Sequence, residues 1–341
     1  MRKVVWGGNG ELEFVQDGMG RPEVRNARDV RIRVTAAGVC GTDVHIIQGK
    51  VRFVDPPLVL GHEFAGVVEE CGAAVTGVRP GDRVKCDSVC GCGECSWCAG
   101  GATQFCPSGS EFGITRDGGW AEWLVVPERN LHVLPEAISD AVAAIMDVEV
   151  FGSLRKPGIA PGEAVAVFGP GPAGLIALQV ARAMGAGVVI LCGTRAERLD
   201  AGRELGADHL VNVGEKDPVA AIREITGGRG ADLVFEAAGN RRAVLDAIEA
   251  VRPQGKVVLY GVHGAALPEM PLDRVVLKDL VVYGALTNRN GWEDLMTMVA
   301  RGQINLARLI THTFPLEAAA DAYAASSDRG SRCLKAVLSI A

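Results

Sequence analysis

Four closely spaced cysteines form the most distinctive chemical pattern in the sequence. They are Cys92, Cys95, Cys98 and Cys106, with the spacing C-x2-C-x2-C-x7-C. Such spacing lets one loop present four thiolates to a tetrahedral Zn²⁺ ion. Because four protein ligands leave no open coordination position, we expect this zinc to be structural and not catalytic. The alternative is a set of free or disulfide-bonded thiols, although disulfide scaffolds are typical of shorter, secreted chains.

A second group of residues has the chemistry of a catalytic metal site. The group consists of Cys40, Thr42, Asp43, His45, His62 and Glu63. A catalytic zinc needs about three protein ligands and an open position for a substrate oxygen. Cys40 and His62 suit the first two ligand positions. The pattern alone leaves a simpler alternative open, in which Cys40 is a buried thiol, His62 a turn residue, and Thr42 with Asp43 a helix cap.

A glycine-rich turn predicts a nucleotide site. Its predicted cofactor contacts are Gly169, Gly171, Pro172, Ala173 and Gly174. The turn fits G-x-G-x-x-G, follows a strand-like run at 164–168 and opens a helical stretch at 175–184. Gly169 permits the tight turn, Gly171 lets a pyrophosphate approach the backbone, and Gly174 lets the helix pack on the strand. The free N–H groups of the helix then face the phosphates. The alternative is a plain tight turn.

The end of the second predicted strand bears on the choice between NAD and NADP. NAD sites usually place an acid about 20 residues after the glycine turn. Here no Asp or Glu occurs between Gly174 and Glu197, and the strand ends in Gly193, Thr194 and Arg195. Thr194 and Arg195 could bind the 2′-phosphate that an acid would repel. The sequence therefore favours NADP, with NAD and a solvated Arg195 as the alternative.

The elements that must position these residues fall into two parts. Residues 1 to about 151 carry short β-like runs interrupted by Gly and Pro, which is typical of an irregular, mostly β domain. Beyond residue 151, apolar strand-like runs alternate with helical stretches, which predicts a doubly wound parallel sheet. A length of 341 residues also favours two domains. We therefore predict an α/β protein.

Composition excludes several classes of protein. With 48% hydrophobic and 22% charged residues the chain is globular and not disordered. A net charge of −6 gives no general attraction for nucleic acid or an anionic membrane. The longest uncharged run, 164–181, is interrupted by Gly and Pro and is a poor membrane span. The first ten residues lack the apolar core of a signal peptide, so we expect a cytoplasmic protein.

Several motifs, taken in order, resemble those of a known family. They are Cys40-Gly41-Thr42-Asp43-x-His45, Gly61-His62-Glu63, Pro80-Gly81-Asp82-Arg83-Val84, the four-cysteine lobe, Asp117-Gly118-Gly119-Trp120-Ala121-Glu122 and the turn 169–174. Over essentially its whole length the chain resembles the zinc-containing alcohol dehydrogenases of the medium-chain dehydrogenase/reductase superfamily. It is most similar to the branch of threonine, sorbitol and related polyol dehydrogenases. The resemblance implies a GroES-like catalytic domain of residues 1–151 and 287–341, with the zinc lobe at 90–107, and a Rossmann domain of residues 152–286.

The resemblance also implies two zinc ions per subunit, with Cys40 and His62 as ligands of the catalytic one. In this branch a Glu followed by Pro-Leu supplies a further ligand. Asp147 occupies that position here, as a shorter acid without the following Pro. Glu63 is the family's alternative ligand, and Glu149 is a weaker competitor.

Other roles follow from the same resemblance. It implies a proton relay from Thr42 through the cofactor ribose to His45, which is otherwise a surface histidine. Asp43 would orient the metal-binding histidine or simply cap a helix. Gly261, after the strand-like run 256–260, is a further implied cofactor contact.

The implied activity is a zinc-dependent, NAD(P)-linked oxidation of a secondary alcohol to a ketone by hydride transfer. The substrate would be a polyol, sugar, aminocyclitol or hydroxy-amino acid. Alternatives are a zinc-free quinone or enoyl reductase on the same fold and a non-enzymatic nucleotide-binding protein with a structural zinc. Homodimers or homotetramers would form through the cofactor-domain sheet, where 281–285 is either an edge strand or an ordinary internal strand. Asn288, Arg289 and Asn290 are either substrate contacts or solvated loop residues.

Overall fold

The computed structural model describes residues 1–8, 10–16, 20–51, 53–262, 270–286, 291–328 and 330–340. The chain divides into two compact units. The first contains Met1–Met146 and Leu306–Ala341, and the second contains Asp147–Asn305. Asn288, Arg289 and Asn290 lie outside the described residues. Within the described ranges, no helix combines the length and the apolar character needed to cross a membrane.

The first unit is rich in short strands. They are β1 (Arg2–Gly8), β2 (Glu11–Gln16), β3 (Asp29–Val39), β4 (Leu58–Val59), β5 (Phe64–Cys71), β6 (Arg83–Cys86), β7 (Val89–Cys90), β8 (Ser110–Glu111), β9 (Trp123–Pro127), β10 (Leu131–Val133), β17 (Ile310–Pro315) and β18 (Lys335–Ser339). Its helices are α1 (Gly41–Ile47), α2 (Ser96–Ala99), α3 (Asp140–Ala144) and α11 (Ala319–Ser327).

The main sheet of this unit has the strand order β10-β6-β5-β3-β18-β17, and β9 also pairs with β3. Strand β3 alternates along its first half, so that Val30, Ile32 and Val34 are fully buried in the core. Such alternation places every second side chain on one face of a sheet. The predicted irregular, β-rich domain is confirmed.

The second unit is a parallel α/β layer structure. Its strands are β11 (Ala164–Phe168), β12 (Val188–Gly193), β13 (His209–Asn212), β14 (Ala231–Glu236), β15 (Val251–Leu259) and β16 (Val281–Gly284). Its helices are α4 (Val148–Arg155), α5 (Pro172–Ala183), α6 (Ala196–Glu204), α7 (Pro218–Ile225), α8 (Arg241–Ala250), α9 (Leu272–Leu277) and α10 (Trp292–Ala300).

All neighbouring strands of this sheet are parallel, in the order β13-β12-β11-β14-β15-β16. Every residue of the central strand β11 is buried, which its unbroken apolar run requires. The order matches the doubly wound Rossmann arrangement, which confirms the predicted fold class. Strand β16 lies at the edge of the sheet, as predicted for residues 281–285.

The limits of the compact units differ from the domain limits inferred from the sequence. The predicted boundary at residue 151 falls inside α4, and the predicted catalytic domain includes α10. In the structure α4 and α10 pack together, and the Arg155 guanidinium lies 2.8 Å from the Asp294 carboxylate. Both helices therefore belong to the second unit.

Candidate active site and metal centres

The four-cysteine lobe brings its sulfur atoms together as the spacing predicts. The Sγ atoms of Cys92, Cys95, Cys98 and Cys106 all lie within 4.8 Å of one another. Backbone N–H groups point at the sulfurs, with Cys95 N 3.3 Å from Cys92 Sγ and Cys92 N 3.3 Å from Cys106 Sγ. The Cys92 N–H and the Ser108 hydroxyl lower the pKa of Cys106 to about 6. A set of four sulfurs with thiolate-stabilising donors fits a tetrahedral zinc ion.

The lobe is tied to the first unit by two neighbouring side chains. Buried Asn130 donates its amide hydrogens to the carbonyls of Asp87 and Val89, each at 2.8 Å. The Arg129 guanidinium donates to the Gly91 carbonyl at 2.5 Å. Sequence reasoning did not identify these two residues, because nothing in the cysteine spacing indicates what anchors the loop.

The second cluster forms where two antiparallel strands meet. Cys40 directly follows β3 and caps α1, while His62 and Glu63 directly precede β5. Because Ala37 of β3 pairs with Phe64 of β5, two segments that are distant in the chain become neighbours. One ligand atom from each of Cys40, His62 and Glu63 lies within 4.8 Å of the others.

Asp43 contacts both of the predicted zinc ligands. Its Oδ2 accepts a hydrogen bond from the Cys40 backbone at 2.8 Å, and its Oδ1 lies 3.4 Å from His62 Nδ1. The two roles considered for Asp43, helix cap and partner of the histidine, are thus both compatible with its contacts. Burial lowers the pKa of His62, but the Asp43 carboxylate and the Cys40 sulfur together raise it well above its ordinary value. This concentration of negative charge around a buried imidazole fits a divalent cation.

The motif at residues 117–122 holds the histidine loop in place. Gly119 N donates to the Gly61 carbonyl at 2.7 Å. The indole N–H of fully buried Trp120 donates to the Gly38 carbonyl at 3.3 Å, two residues before Cys40. A Cβ at Gly61 would lie 2.2 Å from the Trp120 ring, and Gly61 has φ +91°. Trp120 therefore packs between the segments that carry the two predicted ligands.

Lys335 is a member of this cluster that sequence reasoning missed. Its Nζ lies 2.7 Å from Oε1 and 2.6 Å from Oε2 of Glu63, and the lysine is only 5% exposed. Burial raises the pKa of the Glu63 carboxyl, but Lys335 opposes this and lowers it below the ordinary value. The two residues are 272 positions apart, and only the pairing of β18 with β3 brings them together. A lysine beginning the apolar run 335–338 was the available signal.

Asp147 lies in the second unit, at the N-cap of α4. Its Oδ1 accepts hydrogen bonds from Glu149 N at 2.9 Å and Val150 N at 3.0 Å. Its Oδ2 lies 3.3 Å from the Tyr260 hydroxyl. Asp147 thus uses one carboxylate oxygen to cap the N-terminus of α4.

Thr42 and His45 lie three residues apart on one face of α1. The Thr42 hydroxyl is 3.9 Å from Cys40 Sγ, and His45 is exposed. Partial burial and the nearby Lys50 ammonium lower the pKa of His45. The imidazole is therefore neutral at neutral pH and able to accept a proton.

The glycine turn has the strand–turn–helix context that the motif requires. Gly169 has φ +102°, Gly171 caps α5, and Pro172 with Ala173 begins its first turn. A Cβ at Gly174 would lie 1.9 Å from the Gly169 carbonyl oxygen. The backbone thus leaves no room for a side chain at Gly174, as the close packing of the helix on the strand requires.

Two further segments carry the other predicted cofactor contacts. The second strand ends in Gly193, followed by Thr194 and Arg195, and a Cβ at Gly171 would lie 3.9 Å from the Arg198 guanidinium. Arg198 was not predicted, and its position one helical turn after Arg195 was the available signal. Gly261 N donates to the Glu236 carbonyl at 3.0 Å, so the predicted contact Gly261 follows β15 beside the end of β14.

Comparison with known proteins assigns the chain to a family. Residues 26–136 match the alcohol dehydrogenase GroES-like domain, and residues 172–301 match the zinc-binding dehydrogenase domain. The chain is 35% identical over 325 residues to L-threonine 3-dehydrogenase of Anaeromyxobacter sp. (strain K), covering 93% of both chains. It is 32% identical over 293 residues to sorbitol dehydrogenase of Halalkalibacterium halodurans, covering 84% of this chain and 85% of the relative.

A solved structure gives the same result. A chain described as a zinc-binding dehydrogenase, from Sinorhizobium meliloti 1021 and bound to NADP, superposes with a TM-score of 0.91 at 30% identity, covering 99% of this chain and 98% of that one. Both candidate metal-binding groups, the four cysteines and the cluster of Cys40, His62 and Glu63, occur in this chain. The chain therefore belongs to the zinc-containing alcohol dehydrogenases of the medium-chain dehydrogenase/reductase superfamily, and it is an enzyme of the alcohol or polyol dehydrogenase type.

Proposed function

We propose that the enzyme oxidises a secondary alcohol of the polyol, sugar, aminocyclitol or hydroxy-amino acid class to a ketone, with hydride transfer to NADP. The observation that carries the proposal is the cluster of Cys40, His62 and Glu63, whose ligand atoms lie within 4.8 Å of one another. The relatives named for threonine and sorbitol support this range of substrates.

Cys40 and His62 would hold a catalytic zinc, and Asp43 would orient both of them. Zinc held by these two residues would supply Lewis acidity, which lowers the pKa of an alcohol hydroxyl. The nicotinamide ring supplies the acceptor for the hydride. The chain itself provides the sulfur and imidazole ligands, the buried carboxylate behind them and the rigid Trp120 packing.

The third protein ligand is either Asp147 or Glu63. Glu63 belongs to the ligand cluster but is paired with Lys335, whereas Asp147 uses one oxygen to cap α4. Metal analysis of Asp147→Asn and Glu63→Gln separates the two proposals. The variant that lacks the true ligand will lose zinc, while the other keeps its zinc content.

Thr42 and His45 would remove the substrate proton. A threonine hydroxyl can accept one proton while it donates another, and the neutral His45 imidazole at the exposed surface can pass the proton to solvent. His45→Asn should lower kcat by about 100-fold, since a positioned general base contributes at least that factor. Unchanged kcat would remove His45 from the mechanism.

The four cysteines of the lobe would hold a second, structural zinc, giving two ions per subunit. The N–H groups directed at Cys92 and Cys106 support this proposal. A count of one zinc in Cys92→Ser, with two in the unmodified enzyme, would support it.

The NADP preference rests on the loop after β12. Gly193 ends the second strand, where NAD enzymes usually carry an acid, and Thr194 and Arg195 follow it directly. The Arg198 guanidinium lies 3.9 Å from a Cβ built on Gly171, so a cationic group is present beside the turn. The ratio of kcat/KM for NADP and NAD measures this preference. A ratio below one would overturn it.

A panel of polyols, sugars and amino alcohols, assayed with both cofactors, tests the proposed reaction. Cys40→Ser should lose alcohol oxidation and one zinc while NADPH binding is retained. Cys71→Ser, a half-buried cysteine outside the cluster, is the matched control and should keep full activity. Full activity of Cys40→Ser would refute the proposed site.

We also propose a homodimer or homotetramer that assembles through the edge strand β16. Val281 and Val282 are 48% and 40% exposed there, and Leu272, Val276 and Leu277 of α9 are exposed apolar residues of the same unit. An open apolar edge strand is a template for pairing with a second copy. Val281→Lys should shift the sedimentation coefficient to that of a monomer, whereas Val133→Lys, at the exposed last residue of β10, should not.

The expected cytoplasmic location is also part of this proposal. None of the ten cysteines is paired in a disulfide, which the reducing cytoplasm favours and which leaves sulfur atoms available to bind zinc. Cell fractionation beside a cytoplasmic marker checks it.

A further inference from the structure

Gly193 and Pro170 make an unusually close approach at the end of β12. A Cβ built on Gly193 would lie 2.4 Å from both Cδ and Cγ of Pro170. Non-bonded carbon atoms prefer separations of about 3.5–4.0 Å. Both residues are buried, so the space that a side chain at position 193 would need is already filled by the proline ring.

Neither partner can easily withdraw from the other. Hydrogen bonds hold the backbone on both sides of Gly193. The Cys192 carbonyl accepts one from Gly169 N, and the Gly193 carbonyl accepts one from Val213 N, each at 2.9 Å. The Pro170 ring is closed onto its own backbone nitrogen and has no rotamer that would move it away. Gly169, directly before it, is held with φ +102° against the turn at Ala237 and Ala238.

The position that Pro170 keeps empty is the last residue of β12, the strand end at which NAD enzymes of this fold usually carry an acid. An acid at the end of the second strand binds the ribose hydroxyls of NAD and repels the 2′-phosphate of NADP. We propose that Pro170 is a specificity-determining residue, because it excludes every side chain, and therefore the NAD-selective acid, from position 193. This inference deepens the proposed NADP preference and rests on it for its biological meaning.

A double-mutant cycle with alanine tests whether the Pro170 ring excludes a side chain from position 193. Alanine adds bulk there without any change of charge. Gly193→Ala alone should weaken the binding of NADPH and NADH alike by about tenfold or more and lower the Tm, as overpacking does. Pro170→Ala alone should change both dissociation constants less than about threefold, since it removes ring atoms and keeps the turn glycines. Combined with Pro170→Ala, Gly193→Ala should regain most of the lost affinity and Tm.

The coupling between the two substitutions, and not either single effect, decides the result. Purely additive effects on the Tm and on both dissociation constants would overturn the inference. The inference would also fail if Gly193→Ala alone bound both cofactors as the unmodified enzyme does. The Tm is measured on protein without added cofactor, so a variant too weak to bind nucleotide still gives an answer.

A second cycle with aspartate tests the consequence for specificity. Gly193→Asp with Pro170 present should bind neither cofactor well, whereas Gly193→Asp with Pro170→Ala should bind NADH about tenfold more tightly than Gly193→Asp does, through charge-assisted hydrogen bonds. Equal NADH affinity of these two variants would overturn the inference. If the unmodified enzyme prefers NADH, the proposed preference for NADP fails, but the alanine cycle still measures the steric coupling independently.

Discussion

At the scale of single residues, charge is concentrated around one imidazole. The Asp43 carboxylate, the Cys40 sulfur and the Glu63 carboxylate surround His62, and Lys335 is the cation placed among them. Short motifs indicated Cys40, His62 and Asp43 as candidate site residues, and the structure brings their side chains together. No motif contains Lys335 or Arg198, so their sequence signals were weak, and the pairing of β18 with β3 was needed to place Lys335 beside Glu63.

The Glu63–Lys335 pair should contribute strongly to stability. Lys335→Met leaves a buried carboxylate without its cation, and removing one partner of a buried pair costs about 3–5 kcal/mol of unfolding free energy. Urea unfolding at pH 7 measures this loss. Adding Glu63→Gln should restore most of it, and exposed Lys50→Met should cost little. Equal stability of Lys335→Met and the unmodified enzyme would contradict this account of the pair.

At the scale of elements, the strand–turn–helix at 164–183 was the most predictable part of the chain. Its apolar strand, glycine spacing and following helix all indicate the same structure, and each is local in sequence. The residues that tie the sheet together were not predictable, since their partners are distant. Asp232, at the start of β14, accepts hydrogen bonds from Ala164 N at 2.7 Å and Arg252 Nε at 2.6 Å, which joins three strands.

We expect Asp232 to make the folded enzyme less stable in acid. Burial raises the pKa of this carboxyl, but Arg252 and the Ala164 N–H outweigh that effect and lower it below the ordinary value of about 3.9. The folded state therefore binds its proton less readily than the unfolded state. The Asp232 carboxylate therefore stabilises the folded state fully when the pH is above the ordinary pKa. This stabilisation is lost as the pH falls through the lowered pKa of the folded state.

Urea unfolding between pH 7 and pH 3 measures this contribution. Asp232→Asn should be less stable at pH 7 and should lose less stability in acid than the unmodified enzyme does. Glu224→Gln, at an exposed position on α7, should follow the unmodified curve. If the unfolding free energies of Asp232→Asn and of the unmodified enzyme fell equally with pH, Asp232 would not contribute to the pH dependence of stability.

Gly91 leaves the space that the sulfur atoms of the four-cysteine lobe occupy. A Cβ at Gly91 would lie 2.5 Å from Cys98 Sγ and 2.6 Å from Thr103 Cγ2, so Gly91→Ala forces the sulfur out of its place. Gly91→Ala should retain about one zinc per subunit instead of two, since the other site is separate. Gly7→Ala, with no atom within 4 Å of the new Cβ, should retain both. Metal analysis with two zincs in Gly91→Ala would exclude a tight tetrahedral site in this lobe.

At the scale of the whole molecule, family membership and fold agree with the chemistry of the residues. The β-rich unit carries both cysteine-containing clusters, and the parallel α/β unit carries the nucleotide turn. Short β-like runs interrupted by Gly and Pro predicted the first architecture, and alternating strand-like and helical stretches predicted the second. The exact limits of the compact units were less predictable, because they depend on the packing of α4 against α10.

Diffraction at the zinc absorption edge, from crystals of fully active enzyme, tests the central claim most directly. The account predicts two anomalous peaks per subunit: one among the four sulfurs of Cys92, Cys95, Cys98 and Cys106, and one adjoining Cys40 Sγ and the His62 ring. Active crystals with no peak at Cys40 and His62 would contradict it.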